Sequence, residues 1–117
     1  MPLITSTLRF VTTFQSRPAV LRVITAQLEL TRVQPGCLRC DLYQAVENPN
    51  VFALIEEWES HPDLSARLRS EEYRAILAAI ELSEEAPAIH FDTVIRRGGL
   101  EVIASARAQP EVRLSEP

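Results

Sequence analysis

The chain has 117 residues, 46% of them hydrophobic, and carries 12 basic against 16 acidic side chains for a formal net charge of −4. That length supports one domain with a single core, and the dispersed acidic charge excludes a nucleic-acid binder, which needs a concentrated positive field to displace phosphate counterions. Every basic residue is an arginine, so lysine Schiff-base chemistry and a phosphate-loop lysine are excluded as well.

A hydrophobic fraction this high is unusual for a small domain, which has much surface to keep polar, so a homo-oligomer that hides one face is expected. No apolar run approaches the ~20 residues that span a bilayer, and the N-terminus lacks a charged-then-apolar leader pattern. The reading is a cytoplasmic protein with no membrane partner.

In chain order, residues 3–14 mix Ile4, Leu8, Phe10, Val11 and Phe14 with threonines, a β-branched and aromatic composition that predicts a first strand. Ser16 before Pro18 reads as a helix start, and Val20, Leu21, Ile24, Leu28 and Thr31 repeat at helical spacing up to Gln34, before the Pro35-Gly36 break. A second strand from Cys37 to Val46 places Leu38, Cys40 and Leu42 on one face and Cys37, Arg39, Asp41 and Tyr43 on the other. Cys37 and Cys40 form a C-x-x-C, but residues three apart in a regular strand point to opposite faces. They are therefore read as small hydrophobes, with no metal or redox role.

Asn48-Pro49-Asn50 reverses the chain into a third strand, Val51–Trp58. Phe52, Leu54, Glu56 and Trp58 share one face, and Val51, Ala53, Ile55 and Glu57 the other. Both faces are largely apolar, which predicts cover on both sides. Ser60-His61-Pro62-Asp63 caps a helix with Leu64 and Leu68 at i and i+4, and Ser70 restarts it with Tyr73, Ile76, Leu77 and Ile80 as its apolar stripe. A last regular strand is expected at Ile89–Ile95, then a short one at Leu100–Ser105 after Gly98-Gly99. Residues 1–105 make the domain, and 106–117 read as a flexible tail.

The order β-α-β-β-α-β is the ferredoxin-like plan, an α+β fold with helices on one face of an antiparallel sheet. The other face stays open for a second copy.

The hairpin and the helix after it carry a resemblance. Pro35-Gly36-Cys37-Leu38, Leu42-Tyr43, Glu47-Asn48-Pro49, Phe52 through Ser60, Leu64, Leu68-Arg69-Ser70 and Tyr73 resemble the antibiotic biosynthesis monooxygenase (ABM) domain over most of residues 3–96. The resemblance implies a dimeric α+β barrel, two such sheets packed face to face, each with a pocket between sheet and helices. It also implies oxidation of quinols or polyketide phenols by molecular oxygen with no cofactor. The chain departs from the family where many members carry histidines: it has Arg67 after the tryptophan, and Glu72-Tyr73 where a histidine-aromatic pair often stands. Strand one has no asparagine of the kind used by haem-degrading relatives, which disfavours that activity.

Candidate site residues follow. Trp58, Phe52 and Tyr73 are candidate pocket walls, though large aromatics at this spacing also serve as plain core. Glu56 is a carboxylate on a covered face, so it needs a partner or a catalytic reason to be there. His61 at a helix start is a second candidate base, and Arg39 and Arg67 are candidate anion partners. His90 reads as a surface or interface residue of the last strand. Two histidines 29 positions apart make no metal constellation, and three glycines outside any G-x-G-x-x-G make no dinucleotide loop. The expected activity is a cofactor-independent monooxygenase acting on a small aromatic phenol or quinol. A non-catalytic dimeric module for a small apolar ligand, or an isomerase or lyase on the same scaffold, are the rivals.

Overall fold

In the computed structural model, which describes residues 2–81 and 83–108, four strands form one antiparallel sheet in the order β2-β3-β1-β4. Strand β1 is Leu3–Val11, β2 Cys37–Gln44, β3 Val51–Trp58 and β4 Ala88–Val94. Helices α1 (Arg17–Thr25), α2 (Leu28–Arg32), α3 (His61–Leu68) and α4 (Glu71–Ala79) follow β1 and β3, and α5 (Leu100–Arg107) follows β4. This is the expected ferredoxin-like α+β arrangement.

Alternation sets the faces. Ile4, Ser6, Leu8 and Phe10 of β1 and Phe52, Leu54, Glu56 and Trp58 of β3 are all buried toward the helices, because cross-strand partners such as Leu8 and Leu54 or Ser6 and Glu56 share a side. Val20 and Ile24 of α1 and Tyr73, Ile76 and Ile80 of α4 complete the main core. A smaller cluster of Ile4, Trp58 and Leu64 joins it through Cys37 and Leu68. The opposite face carries half-buried Val51, Ala53 and Ile55, and also Glu57, which Arg39 and Arg97 neutralise at 3.5 and 3.1 Å. That face is open.

Four local features differ from the sequence reading. Strand β1 stops at Val11 because Thr12 turns its N–H and hydroxyl to Asn50, while Thr13 and Ser16 exchange side-chain and backbone hydrogen bonds. Ser16 therefore precedes the helix without capping it by its side chain. The first helix breaks after Thr25: the Thr25 hydroxyl bonds back to the Leu21 carbonyl, the Gln27 N–H closes a tight turn on Ile24, and the Gln27 amide donates to the Glu72 carbonyl of α4.

The third difference lies in β2, where pairing slips between Cys37 and Arg39, so that Cys37 opposes Trp58 and Arg39 opposes Glu57. One extra residue inverts the alternation. Cys37 thus packs inward with Cys40, and Leu38 is left exposed. The assignment of the two cysteines to opposite faces is corrected; both are free thiols.

The fourth is Leu100–Ser105, expected as a strand and found within α5. Ala104, Ala106 and Arg107 favour helix, and the Glu101 carboxylate accepts the Gly99 N–H at 2.9 Å across the first turn. The helix includes Ala106 and Arg107 of the expected tail; residues 109–117 lie outside the described residues.

Candidate active site

Three elements bring the site together at the end of the sheet where β3 finishes. Gly36 takes φ +81° and lets the chain turn into β2 hard against α3, its carbonyl accepting the Glu59 N–H at 2.8 Å. Ser60 caps α3 by accepting the Asp63 N–H at 3.3 Å, and Ser70 caps α4 by accepting the Tyr73 N–H at 3.1 Å. Both caps hold their helices over Trp58 and Glu56.

Beneath them lies a buried polar cluster. Arg67 donates from Nε and Nη2 to the two oxygens of Glu56 at 3.2 and 2.8 Å, and the Trp58 indole Nε1 donates to Glu56 Oε1 at 2.9 Å. The Arg67 and Glu56 side chains are 4% and 1% exposed. The pair is bidentate and dry, the geometry in which a charge-assisted contact is strongest. The Arg67 guanidinium also lies over the Tyr73 ring, 5.0 Å from its centre. Burial alone would lower Arg67's proton affinity, but Glu56 outweighs it and the net shift is upward.

A cleft of about 320 Å³ opens above this cluster. Trp58 and Arg67 form part of its wall, with Leu30, Pro35 and Ala66 as further carbon surface and Asp63 and Ser70 as polar groups. Such a mixture, mostly apolar with a few directed polar atoms, is how small-molecule sites are commonly built.

The sequence candidates fall into distinct places. Trp58, Glu56, Arg67 and Tyr73 converge. Phe52 stacks on Phe10 with ring centres 5.4 Å apart, inside the main core. Arg39 sits on the open face of the sheet, paired with Asp41 at 2.9 Å and with Glu57. His61 is exposed at the start of α3 and does not line the cleft. Asp63, which the sequence reading used only as part of a helix cap, lines it. So do Thr31 of α2 and Gln34 just beyond that helix. The signal for Asp63 was present in Ser60-x-x-Asp63 together with Pro35-Gly36, but only the close approach at Gly36 shows that the cap and the cleft coincide.

Burial pushes the Tyr73 phenol up to about 12, with the Glu56 carboxylate adding to the rise, and it pushes the Cys40 thiol up to about 12 for the same two reasons. Both groups are raised above their unfolded values, near 10 and 9. Their neutral forms therefore stabilise the fold fully below those values, and that contribution is lost as pH climbs toward about 12. Thermal unfolding followed by circular dichroism should show a melting temperature level from neutrality to about pH 9 and falling above it. Burial raises the Cys37 thiol as well, so in Cys40→Ala the fall should still begin near pH 9 but be shallower than in the parent between about pH 9 and 12. An equally steep fall in the variant would contradict the burial of the Cys40 thiol.

A family model described as antibiotic biosynthesis monooxygenase matches residues 7–79, from within β1 to the end of α4. The chain belongs to that family. A search of curated proteins gives no match. Among solved structures, this ABM chain is similar to a protein from Mycobacterium tuberculosis at 22% identity and a TM-score of 0.74, covering 83% of this chain and 99% of that one. It is also similar to a conserved protein from Methanosarcina mazei, at 21% identity and a TM-score of 0.73 over 80% and 94% of the two chains. A third structure, described as an antibiotic biosynthesis monooxygenase, gives 20% identity and a TM-score of 0.72 over 80% and 99%. At these identities the three establish a shared ferredoxin-like fold. Among the described residues no helix is long and apolar enough to cross a membrane.

Proposed function

We propose that this ABM protein is a monooxygenase that oxidises a small aromatic phenol or quinol with molecular oxygen in the cleft beside Trp58, without a cofactor. The observation that carries the reading is an apolar cleft whose wall holds a charged guanidinium, Arg67, set by Glu56 and Trp58 in a dry interior.

An electron-rich aromatic needs no external reductant for this reaction. The substrate loses a proton to become a phenolate or carbanion and passes one electron to oxygen. The resulting radical and superoxide recombine at carbon to give a peroxide. Cleavage of its O–O bond leaves one oxygen atom in the product as a carbonyl and releases the other as water. Both electrons that reduce oxygen beyond the peroxide come from the C–H bond that is lost. The protein's part is to hold the ring against Trp58, keep water out and stabilise the anion.

Arg67 is the anion partner, since the Glu56 carboxylate fixes its plane from behind while its edge lines the cleft. Glu56 meets three donor contacts, so its place is to orient Arg67 and Trp58. Asp63, one helical turn before Arg67 on α3, lines the same cleft and is the carboxylate that takes the proton. Tyr73 supports Arg67 from beneath, and Phe52 supports the sheet. His61 and Arg39 act outside the cleft in this reading, which also has the protein working as a cytoplasmic homodimer.

Turnover of a hydroquinone and anthrone panel in air and under anaerobic conditions tests the proposal. Product formed only in air is the expected result. Equal turnover without oxygen would select an isomerase or lyase, and thermal stabilisation by a panel member without turnover would select a binding module.

A further inference from the structure

The C-terminal arm is built for a surface that its own subunit does not offer. Helix α5 buries none of its residues, and Ile95, Leu100 and Ile103 are 85%, 83% and 56% exposed. An eight-residue helix gains too little from its own backbone to persist in water, so its stability has to come from packing. The molecule is accordingly long, 51 × 34 × 24 Å, with a radius of gyration of 17.4 Å against about 13 Å for a compact chain of this length.

The same molecule leaves an apolar groove of about 380 Å³ uncovered on the helix side of β4. Leu8, Tyr73, Leu77, Ile89 and Phe91 line it, and Leu77, Ile89 and Phe91 stay 41–47% exposed. Glu81 stands at its edge, and α5 carries Arg107 in its last turn. The groove and the arm match in apolar character.

They cannot meet within one subunit as the arm is held. Arg97, in the segment leading to α5, donates to Glu57 at 3.1 Å, and Glu57 belongs to the open face of the sheet. The arm is thus anchored on one side of the sheet and the groove lies on the other. The solved relatives above match about four-fifths of this chain while being covered nearly whole themselves, so the chain has residues beyond the shared domain to spend on such a contact.

We infer that α5 of one copy seats in the apolar groove of a second copy, with Leu100 and Ile103 filling the space beside Tyr73, Ile89 and Phe91. Each copy then covers the apolar groove on the helix side of the other's β4, where Leu77, Ile89 and Phe91 are left 41–47% exposed. The exchange is independent of the chemistry assigned to the cleft.

Disulfide trapping between two differently tagged populations tests it, one carrying Ile103→Cys and the other Phe91→Cys, with Leu77→Cys as a second groove position. Cys37 and Cys40 are common to all samples. The expected result is a disulfide-linked heterodimer that forms on mixing and is absent from each population alone. Formation of the bond within a single chain in the Ile103→Cys/Phe91→Cys double variant would overturn the exchange in favour of a folded-back arm. So would an Ile103→Cys homodimer, or no trapping at either groove position in variants whose circular dichroism is native.

Discussion

Arg67→Met should destabilise the protein by about 3–5 kcal/mol, the cost of leaving one member of a buried ion pair without its partner. Glu56 would then be a carboxylate with a 1% exposed side chain, held only by the Trp58 indole. Methionine keeps much of the volume and the contact with Tyr73, so the loss reports the charge and not a cavity. The double variant Glu56→Gln/Arg67→Met buries no charge and keeps an amide oxygen to accept from Trp58 Nε1. It should regain at least half of the lost stability. Urea unfolding at neutral pH measures all three proteins, and equal losses in the single and double variants would show that the ion pair is not what organises this end of the sheet.

Gly36→Ala should cost about 2–5 kcal/mol from two sources that act together. An alanine at φ +81° takes on strain of order 1–3 kcal/mol. Its Cβ would also fall 2.2 Å from Asp63 Oδ2 and 2.6 Å from Asp63 Cβ, an overlap that moves α3 at a further cost of about 1–3 kcal/mol. Because Asp63 lines the cleft, the variant should lose ligand affinity as well as stability. Equilibrium unfolding and ligand titration on the same samples separate the two, and a variant with native stability would show that Gly36 and Asp63 do not approach as described.

What could be read in the sequence followed from period. The helix-facing sets Ile4, Leu8, Phe10 and Phe52, Leu54, Glu56, Trp58 alternate without interruption, and the caps at Ser60 and Ser70 are short-range patterns with a local cause. The convergence of Glu56 with Trp58 was legible for the same reason, as residues two apart in a strand share a face. Arg67 was visible as a cation near the tryptophan, but not as the partner of Glu56, because that contact depends on how α3 lies across β3.

Where the sequence misled, a single residue or a distant contact decided. The slip between Cys37 and Arg39 adds one residue to β2 and exchanges the faces of Cys37 and Leu38, which no propensity reveals. The break at Thr25 depends on a hydroxyl bonding back along its own helix and on an anchor to α4. Leu100–Ser105 is apolar enough for a strand, yet the edge of β4 stays unpaired by it and the Glu101 contact to Gly99 starts a helix instead. The cleft was the least legible part. Thr31 and Asp63 come from α2 and α3 and Ser70 from the cap of α4, and only the packing of those helices brings them to Trp58.

The oxygenase reading rests on oxygen from air entering the product at the cleft beside Trp58. Labelling with 18O2 tests this, using whichever quinol or anthrone the panel shows to be turned over. One 18O atom in the product carbonyl and the other in water is the predicted result. Product formed with no label, the oxygen recovered as peroxide or left unconsumed, would contradict it.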